Sequence, residues 1–422
     1  MSESAAAPLR EPPPATRRYP AFEAPFVRAP ERVRTVFLVT TLAASAPLGA
    51  GVVFFGWRAL VVATICVVSC TVLERFYYRL TRTPALLGRT HAYLTGILLA
   101  LTLPAFVPWY VAVVASVFAI VIGKAIFGGV GHFLWQPALV GRLAVAVMFP
   151  AALNSGAWPL LAQSRIVVGD VQRAAMVEDY SGWRGRPAPE GADAFRVTPP
   201  GQMLEKLTRP ASWTARGPAC SGLMLARQDT PRAGPAALRA PAPDRLPPIN
   251  DLLYGARPGG LGETCAIAIL VAGLYLVYRN YVKWQLPVAF LAAAWGVAAT
   301  APVLLQGPSN TVDTVWFPLV AEGLDVGFTY VNYQILSGGV VLAATFFATE
   351  MTSRPVTTGG QVIFGLGCGA GAMLLQLYTG VPIPAYMAVL AMNTLTPVID
   401  AAWRPRVFGR RRFAFLWRLV GR

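Results

Sequence analysis

Residues 36–54 read VFLVTTLAASAPLGAGVVF, an uncharged run long enough to be decisive. About 20 such residues in a helix cross the ~30 Å of hydrocarbon in a bilayer. Before it stand Pro12, Pro13 and Pro14 among mixed charges, not the basic start of a cleaved leader, so the run is expected to be a retained anchor. Nine more runs follow, at 59–80, 91–104, 108–126 and 138–155, then at 262–279, 285–305, 333–350, 360–379 and 383–400. The third is short and stops at Pro104. Residues 156–261, between the two sets of five, are rich in Pro, Gly and Arg and show no apolar periodicity, so they are expected to be largely irregular and outside the bilayer. The expected fold is an all-α polytopic membrane protein of about ten transmembrane helices. Its parts are a tail (1–35), a first membrane half (36–155), the insert (156–261), a second half (262–402) and a basic tail (403–422).

Composition agrees. Of 422 residues, 55% are hydrophobic and 13% charged, where soluble proteins carry about 25% charged residues; an ordinary soluble enzyme is excluded. The formal charge of +16 could point to nucleic acid, but its distribution points to membrane orientation. With the termini on one side of ten spans, that side carries 22 bases and seven acids, and the other 14 bases and 13 acids. By the positive-inside rule both termini are cytoplasmic and the insert is extracytoplasmic; the expected location is the cell's inner (cytoplasmic) membrane. Lipid is then the surrounding partner and nucleic acid is not one. Five spans per half make the second half enter from the opposite face, so a 5+5 inverted pseudo-repeat is geometrically allowed, with a site at the midplane between the halves.

Five cysteines (Cys66, Cys70, Cys220, Cys265, Cys368) have no metal-ligand spacing, and His91 and His132 are read as loop or helix-end residues rather than metal ligands. Glu74 and Arg75 are read as snorkelling at a helix end. Gly365 with Gly369, and Gly367 with Gly371, form small-xxx-small pairs, read chiefly as helix packing and alternatively as clearance for a planar ring.

Four segments rich in glycine, proline and small polar residues remain: KAIFGGVGHFLWQPALVG (124–141), PINDLLYGARPGGLGETCAIA (248–268), TEMTSRPVTTGGQVIFGLG (349–367) and MNTLTPVID (392–400). In this order and at these separations they resemble the membrane flavoprotein family that contains the D subunit of Rnf electron-transport complexes and the B subunit of the sodium-pumping NADH:quinone oxidoreductase. The resemblance implies an FMN joined through its phosphate to a threonine of the external insert, a second, non-covalent flavin, electron transfer coupled to sodium or proton movement, and membrane and peripheral partner subunits.

Carried onto this chain, the acceptor threonine corresponds best to Thr198, in Asp193-Ala194-Phe195-Arg196-Val197-Thr198-Pro199. The family's Ser-Gly-Ala-Thr is absent there, so an ordinary loop threonine is the competing reading. Gly262, Glu263 and Thr264 open the sixth run, where Glu263 is either a helix cap or a flavin or ion contact. Thr352, Ser353, Pro355, Thr357, Gly360 and Gln361 match the family's polar loop and are flavin-binding candidates. Glu350 stands near where relatives carry Asp, and Arg354 is inserted in the Thr-Ser-Pro motif. Asp400, Asn393 and Glu350 are the ion-coupling candidates, Asp400 being alternatively a helix stop neutralised by Arg404. Arg142 takes a place usually uncharged in relatives, and a positive charge there repels a cation.

No phosphate-binding glycine loop and no cysteine cluster for iron–sulfur ligation appears in the sequence, so the electrons must come from another protein. The expectation is a non-autonomous subunit of an ion-translocating oxidoreductase with no catalytic residue or metal ligand of its own. The alternatives are a flavin-less channel or transporter, and a scaffold, on the same helical body.

Overall fold

The computed structural model describes residues 33–81, 91–128, 131–153, 158–161, 174–176, 194–197, 249–255, 259–306, 312–321, 324–379 and 381–403. Helices α1 (Val33–Phe55) and α2 (Trp57–Thr81) coincide with the first two apolar runs. The 23 residues of α1 rise about 34 Å, enough to cross. Both helices keep leucine, valine and phenylalanine outward: Leu42, Leu60, Val68, Val72, Phe76 and Leu80 are all exposed. In water that surface would be a large uncompensated apolar patch; against lipid tails it is matched. Threonines within α1 and α2 turn their hydroxyls onto the preceding turn, as Thr40 does to the Val36 carbonyl at 2.9 Å and Thr71 to that of Val67 at 2.7 Å.

The first half continues with α3 (Ala92–Thr102), α4 (Trp109–Val117), which runs on as a π-helical stretch (Phe118–Ala125), and α5 (Pro137–Met148), followed by the single turn α6 (Pro150–Leu153). α3 rises only about 16 Å over its 11 residues, half a bilayer. The chain then passes through α7 (Ile249–Tyr254) into α8 (Ala266–Tyr278), α9 (Gln285–Thr300), the turn α10 (Pro318–Ala321), α11 (Leu324–Leu336), the short α12 (Val340–Leu342) with its π-helical continuation (Ala343–Phe347), α13 (Thr358–Tyr378) and α14 (Pro384–Ala402).

Among the described residues four helices (α1, α2, α13, α14) are long and apolar enough to cross a membrane, or five when the bent pair 327–336 and 340–347 is one span. The protein is thus a multi-pass membrane protein with a helical body. One expectation is corrected. The run 333–350 is not one helix: it begins earlier, in α11, and is bent by 65° at Ser337-Gly338-Gly339, where two consecutive glycines are poor helix formers. Within the insert, expected to be largely irregular, β1 (Trp158–Leu161), β3 (Ala194–Val197) and β2 (Ala174–Met176) form a sheet in that spatial order, β1 antiparallel and β2 parallel to the central β3. Pro159 lies on an edge strand, where a missing N–H is tolerated. A second ribbon, β4 (Val303–Gln306) with β5 (Val312–Val315), joins α9 to α10.

Packing divides along the halves. α2 lies against α3 and α4, and α5 against the π-helical end of α4; α9, α13 and α14 form a second block, with α1 against α8 joining the two. The glycine pairs of α13 both serve packing. Gly365 faces the Leu286 carbonyl of α9, where a Cβ would fall at 2.8 Å, and Gly369 faces that of Phe290 still more closely. On the opposite face Gly367 meets Met392 and Gly371 meets Ala388, both on α14. Each face is filled by a neighbouring helix, leaving no clearance for a ring.

Candidate functional site

The loop 348–357 links the π-helical stretch after α12 to α13, and the sequence dictates how it is held. Thr357 caps α13, its Oγ1 accepting from the Gly360 amide at 3.1 Å. Gln361, one turn into the helix, sends its Nε2 back to the Pro355 carbonyl at 3.0 Å. From α14, Thr396 Oγ1 donates to the Ser353 carbonyl at 3.0 Å, and Asp400 Oδ1 accepts from the Val356 amide at 3.1 Å. Arg354 Nη2 donates to the Tyr281 carbonyl after α8 at 3.3 Å, and burial lowers the pKa of that guanidinium from its ordinary value. The structure therefore gives Asp400 a concrete partner, a backbone amide; Arg404 lies outside the described residues.

This clamped loop leaves polar atoms unanswered. Among the described residues, Glu350 Oε2, Thr352 Oγ1, Ser353 Oγ, Gln361 Oε1 and both side-chain polar atoms of Asn393 are buried with no hydrogen-bond partner. Asn393 is wholly shielded, on α14. Each buried polar atom left unpaired costs ~1–3 kcal/mol, and native proteins concentrate such atoms where an ion, a cofactor or water completes them. Five of the sequence-selected residues, Glu350, Thr352, Ser353, Pro355 and Gln361, thus belong to this loop or to the helix turn bonded to it, with Thr357 and Gly360 framing it, and Asn393 lies on α14 one turn before Thr396, which holds the loop. Glu350 and Thr352 also line a cleft between the two halves whose far wall is Val36, Phe37 and Leu98 of α1 and α3. Phe37 in turn stacks flat on His91 at 4.3 Å, which places that histidine at the start of α3 as a helix-end residue.

Beside the loop lies an ion pair that sequence reasoning missed. Lys124 Nζ meets Glu74 Oε1 at 2.6 Å with both side chains 3% exposed. Glu74 is not snorkelling; the neighbouring Arg75 is the exposed one. Gln136, which caps α5 by accepting from the Leu139 amide at 2.8 Å, also reaches the Glu350 carboxylate, and Lys124 acts on that carboxylate electrostatically. Trp135 Nε1 donates to Thr394 Oγ1 of α14 at 3.0 Å, a direct bond between the halves. The signal available in the sequence was the burial cost of a lysine inside an apolar run; its partner, on another helix, had no such marker.

The remaining candidates lie elsewhere. Gly262, Glu263 and Thr264 form the turn before α8. Glu263 does not cap that helix: Cys265 does, its Sγ accepting from the Ala268 amide at 3.4 Å. Glu263 instead accepts from the Gly260 amide through Oε2, at 3.2 Å, and from the Tyr386 hydroxyl of α14 through Oε1. Thr264 is fully buried. Thr198 lies outside the described residues, immediately after β3.

The sequence profile of the NQR2, RnfD, RnfE family matches residues 21–409. The chain is similar to the D subunit of the ion-translocating oxidoreductase complex of Halorhodospira halophila, 32% identical over 391 residues, covering 92% of this chain and 95% of that one. It is 28% identical over 392 residues to the D subunit of the proton-translocating ferredoxin:NAD(+) oxidoreductase complex of Clostridium ljungdahlii, covering 92% and 95%. It is also 28% identical over 387 residues to the D subunit of the Na(+)-translocating ferredoxin:NAD(+) oxidoreductase complex of Acetobacterium woodii, covering 91% and 93%.

Proposed function

Because the chain belongs to the NQR2, RnfD, RnfE family, we propose that it is the D-type membrane subunit of an Rnf-like ion-translocating oxidoreductase complex, binding flavin and coupling electron transfer to sodium or proton movement. The observation that carries this reading beyond homology is the set of unpartnered buried oxygens around the 348–357 loop. Its partners are the other membrane and peripheral subunits of such a complex. Ten spans, in two halves of opposite entry, are supported by five shorter apolar helices that fall where the remaining runs are expected. The orientation has both termini in the cytoplasm of a cell with this complex in its inner membrane, and the insert outside; the positive charge on the termini side supports it.

The chemistry of the residues fits both roles. A hard monovalent cation is held by oxygen ligands with limited net charge, and Glu350 adds one carboxylate to the hydroxyl and amide oxygens of Thr352, Ser353, Gln361 and Asn393. Two of these residues, Glu350 and Thr352, lie beside the aromatic and aliphatic wall of the cleft, a combination that suits the polar edge and apolar face of a non-covalent flavin. A flavin there or on Thr198 supplies the one- and two-electron redox chemistry; the protein orients it, excludes water and holds the coupling charge. Asp400 fixes the loop through the Val356 amide and so acts on this site by position.

Equal identity to a proton- and a sodium-translocating relative leaves the ion to experiment. Glu350→Gln in the assembled complex should weaken ion dependence of electron transfer by about tenfold or more, since a hydrogen bond or ligand contact to a charged group is worth ~1.5–3 kcal/mol. Unchanged ion dependence removes Glu350 from the coupling site. For the flavin, the denatured protein on a gel should fluoresce under ultraviolet light, and Thr198→Ala should abolish the band. Fluorescence that survives Thr198→Ala moves the attachment site and preserves the function; purified complex with neither covalent nor bound flavin in this chain supports instead the flavin-less transporter reading, which the missing Ser-Gly-Ala-Thr favours.

A further inference from the structure

The end of the half-length helix α3 lies at the junction of the two halves, and three carbonyls there are answered from elsewhere in the chain. Of its last two residues, Leu101 O accepts from the Gly262 amide at 2.8 Å and Thr102 O from Arg142 Nε at 3.1 Å, and Leu103 O, just past the helix, accepts from the Leu261 amide at 2.9 Å. Arg142 comes from α5 and is 4% exposed; its Nη1 has no hydrogen-bond partner among the described residues. The groups that act on it electrostatically are Glu263 and Tyr386, the pair already joined by a hydrogen bond. The break between α11 and α12 closes on the same atoms, since a Cβ on Gly339 would fall 2.9 Å from Glu263 Oε1 and against the Tyr386 hydroxyl. Three elements of the second half thus converge on the end of α3 and on one guanidinium of the first.

A helix C-terminus carries roughly half a negative charge. In transport proteins built on broken helices, such an end, inside the membrane, is where a mobile cation is coordinated. We propose that Arg142 is a tethered cation that permanently fills this place, its charge balancing Glu263 and the carbonyl end of α3, so that the junction between the halves is closed to mobile cations. Ion movement through this protein is then confined to other regions of the chain. The assignment is independent of whether the Glu350 region binds an ion or a flavin.

The test is to empty the place and offer it a replacement. Full-length Arg142→Ala protein, purified in detergent with sodium, methylguanidinium or choline chloride at equal ionic strength throughout, should unfold several degrees below wild type in choline. Methylguanidinium should restore most of that loss, sodium part of it, and wild type should respond to neither. Arg142→Ala that is no more sensitive to either cation than wild type overturns the proposal. If Arg142→Ala fails to accumulate, Arg142→Ala/Glu263→Gln separates charge from packing. Accumulation of the double variant supports the tethered cation, because the unbalanced carboxylate was then the fault; failure of both overturns it in favour of a packing role. Loss of flavin or ion coupling in the Glu350 and Thr198 experiments leaves these outcomes unchanged.

Discussion

Replacing Lys124 with methionine should abolish accumulation of the folded protein, or lower its unfolding temperature more than any other single side-chain removal in the first half. The methionine keeps the volume and removes the charge that faces Glu74 at 2.6 Å. With both groups 3% exposed, solvent cannot take over the lost interaction, and breaking a buried pair from one side costs about 3–5 kcal/mol. Total stabilities of roughly 5–15 kcal/mol are typical of folded domains, so this is a large fraction. The double variant Lys124→Met/Glu74→Gln should recover most of the loss, because removing both charges together leaves no unpaired ion. Membrane-fraction yield and thermal unfolding in detergent read both effects. A double variant as unstable as Lys124→Met alone shows that the lysine matters through packing, and the pair would then have no energetic role.

A second large effect is expected at Gly369→Val on α13. The hydrogen it replaces points at the Phe290 carbonyl of α9, and a Cβ there would overlap that backbone oxygen. Backbone cannot rotate out of the way as a side chain can, so α9 and α13 must separate. Overpacking a filled interior costs ~1–3 kcal/mol even where side chains yield; here about 3 kcal/mol or more is expected, read as loss of thermal stability. Gly371→Ala, two residues on, is the internal control. Its Cβ would lie 3.4 Å from that of Ala388, an ordinary contact, and alanine gains ~0.8–1.0 kcal/mol of helix propensity over glycine. A stripe of small residues is therefore not uniform in its demands: two positions along, filling the glycine changes sign.

What could be read from the chain follows from how local each signal is. The apolar runs are local sums over about twenty residues, so α1, α2, α13 and α14 lie where expected, and the early stop at Pro104 correctly marks a short helix. The glycine spacing in α13 likewise shows in the sequence, because both partners of each pair are on one helix. The break at Ser337-Gly338-Gly339 was visible as residues but hidden by the hydropathy around it, since a bend inside a protein interior does not interrupt apolar character. Pairings between distant helices left no mark at all. Glu74 and Lys124 are fifty positions apart, and each alone looks like a helix-end charge. Glu263 was legible as a special carboxylate, but its partner Tyr386 and the true cap, Cys265, depend on how the second half folds back. The loop 350–361 was identified as a site through its resemblance to a family; that its oxygens are buried and unanswered is a property of packing.

The two-sided glycine stripe of α13 also governs how the molecule can move. On its α9 face the helix meets the Leu286 and Phe290 carbonyls through bare glycine, with no side chain there to act as a roller, whereas its α14 face receives the side chains of Met392 and Ala388. α9 and α13 are therefore geared together, since sliding one past the other would force backbone through backbone, whereas the flexible Met392 side chain on α14 can yield. Any rearrangement between the halves must carry α9 and α13 as one lever. The slack must come from the bend at residues 337–339, while the halves are latched by the bond from Trp135 to Thr394 and by the Leu261 and Gly262 amides on the end of α3, so the hinge and the latches of the molecule are each only a few residues long.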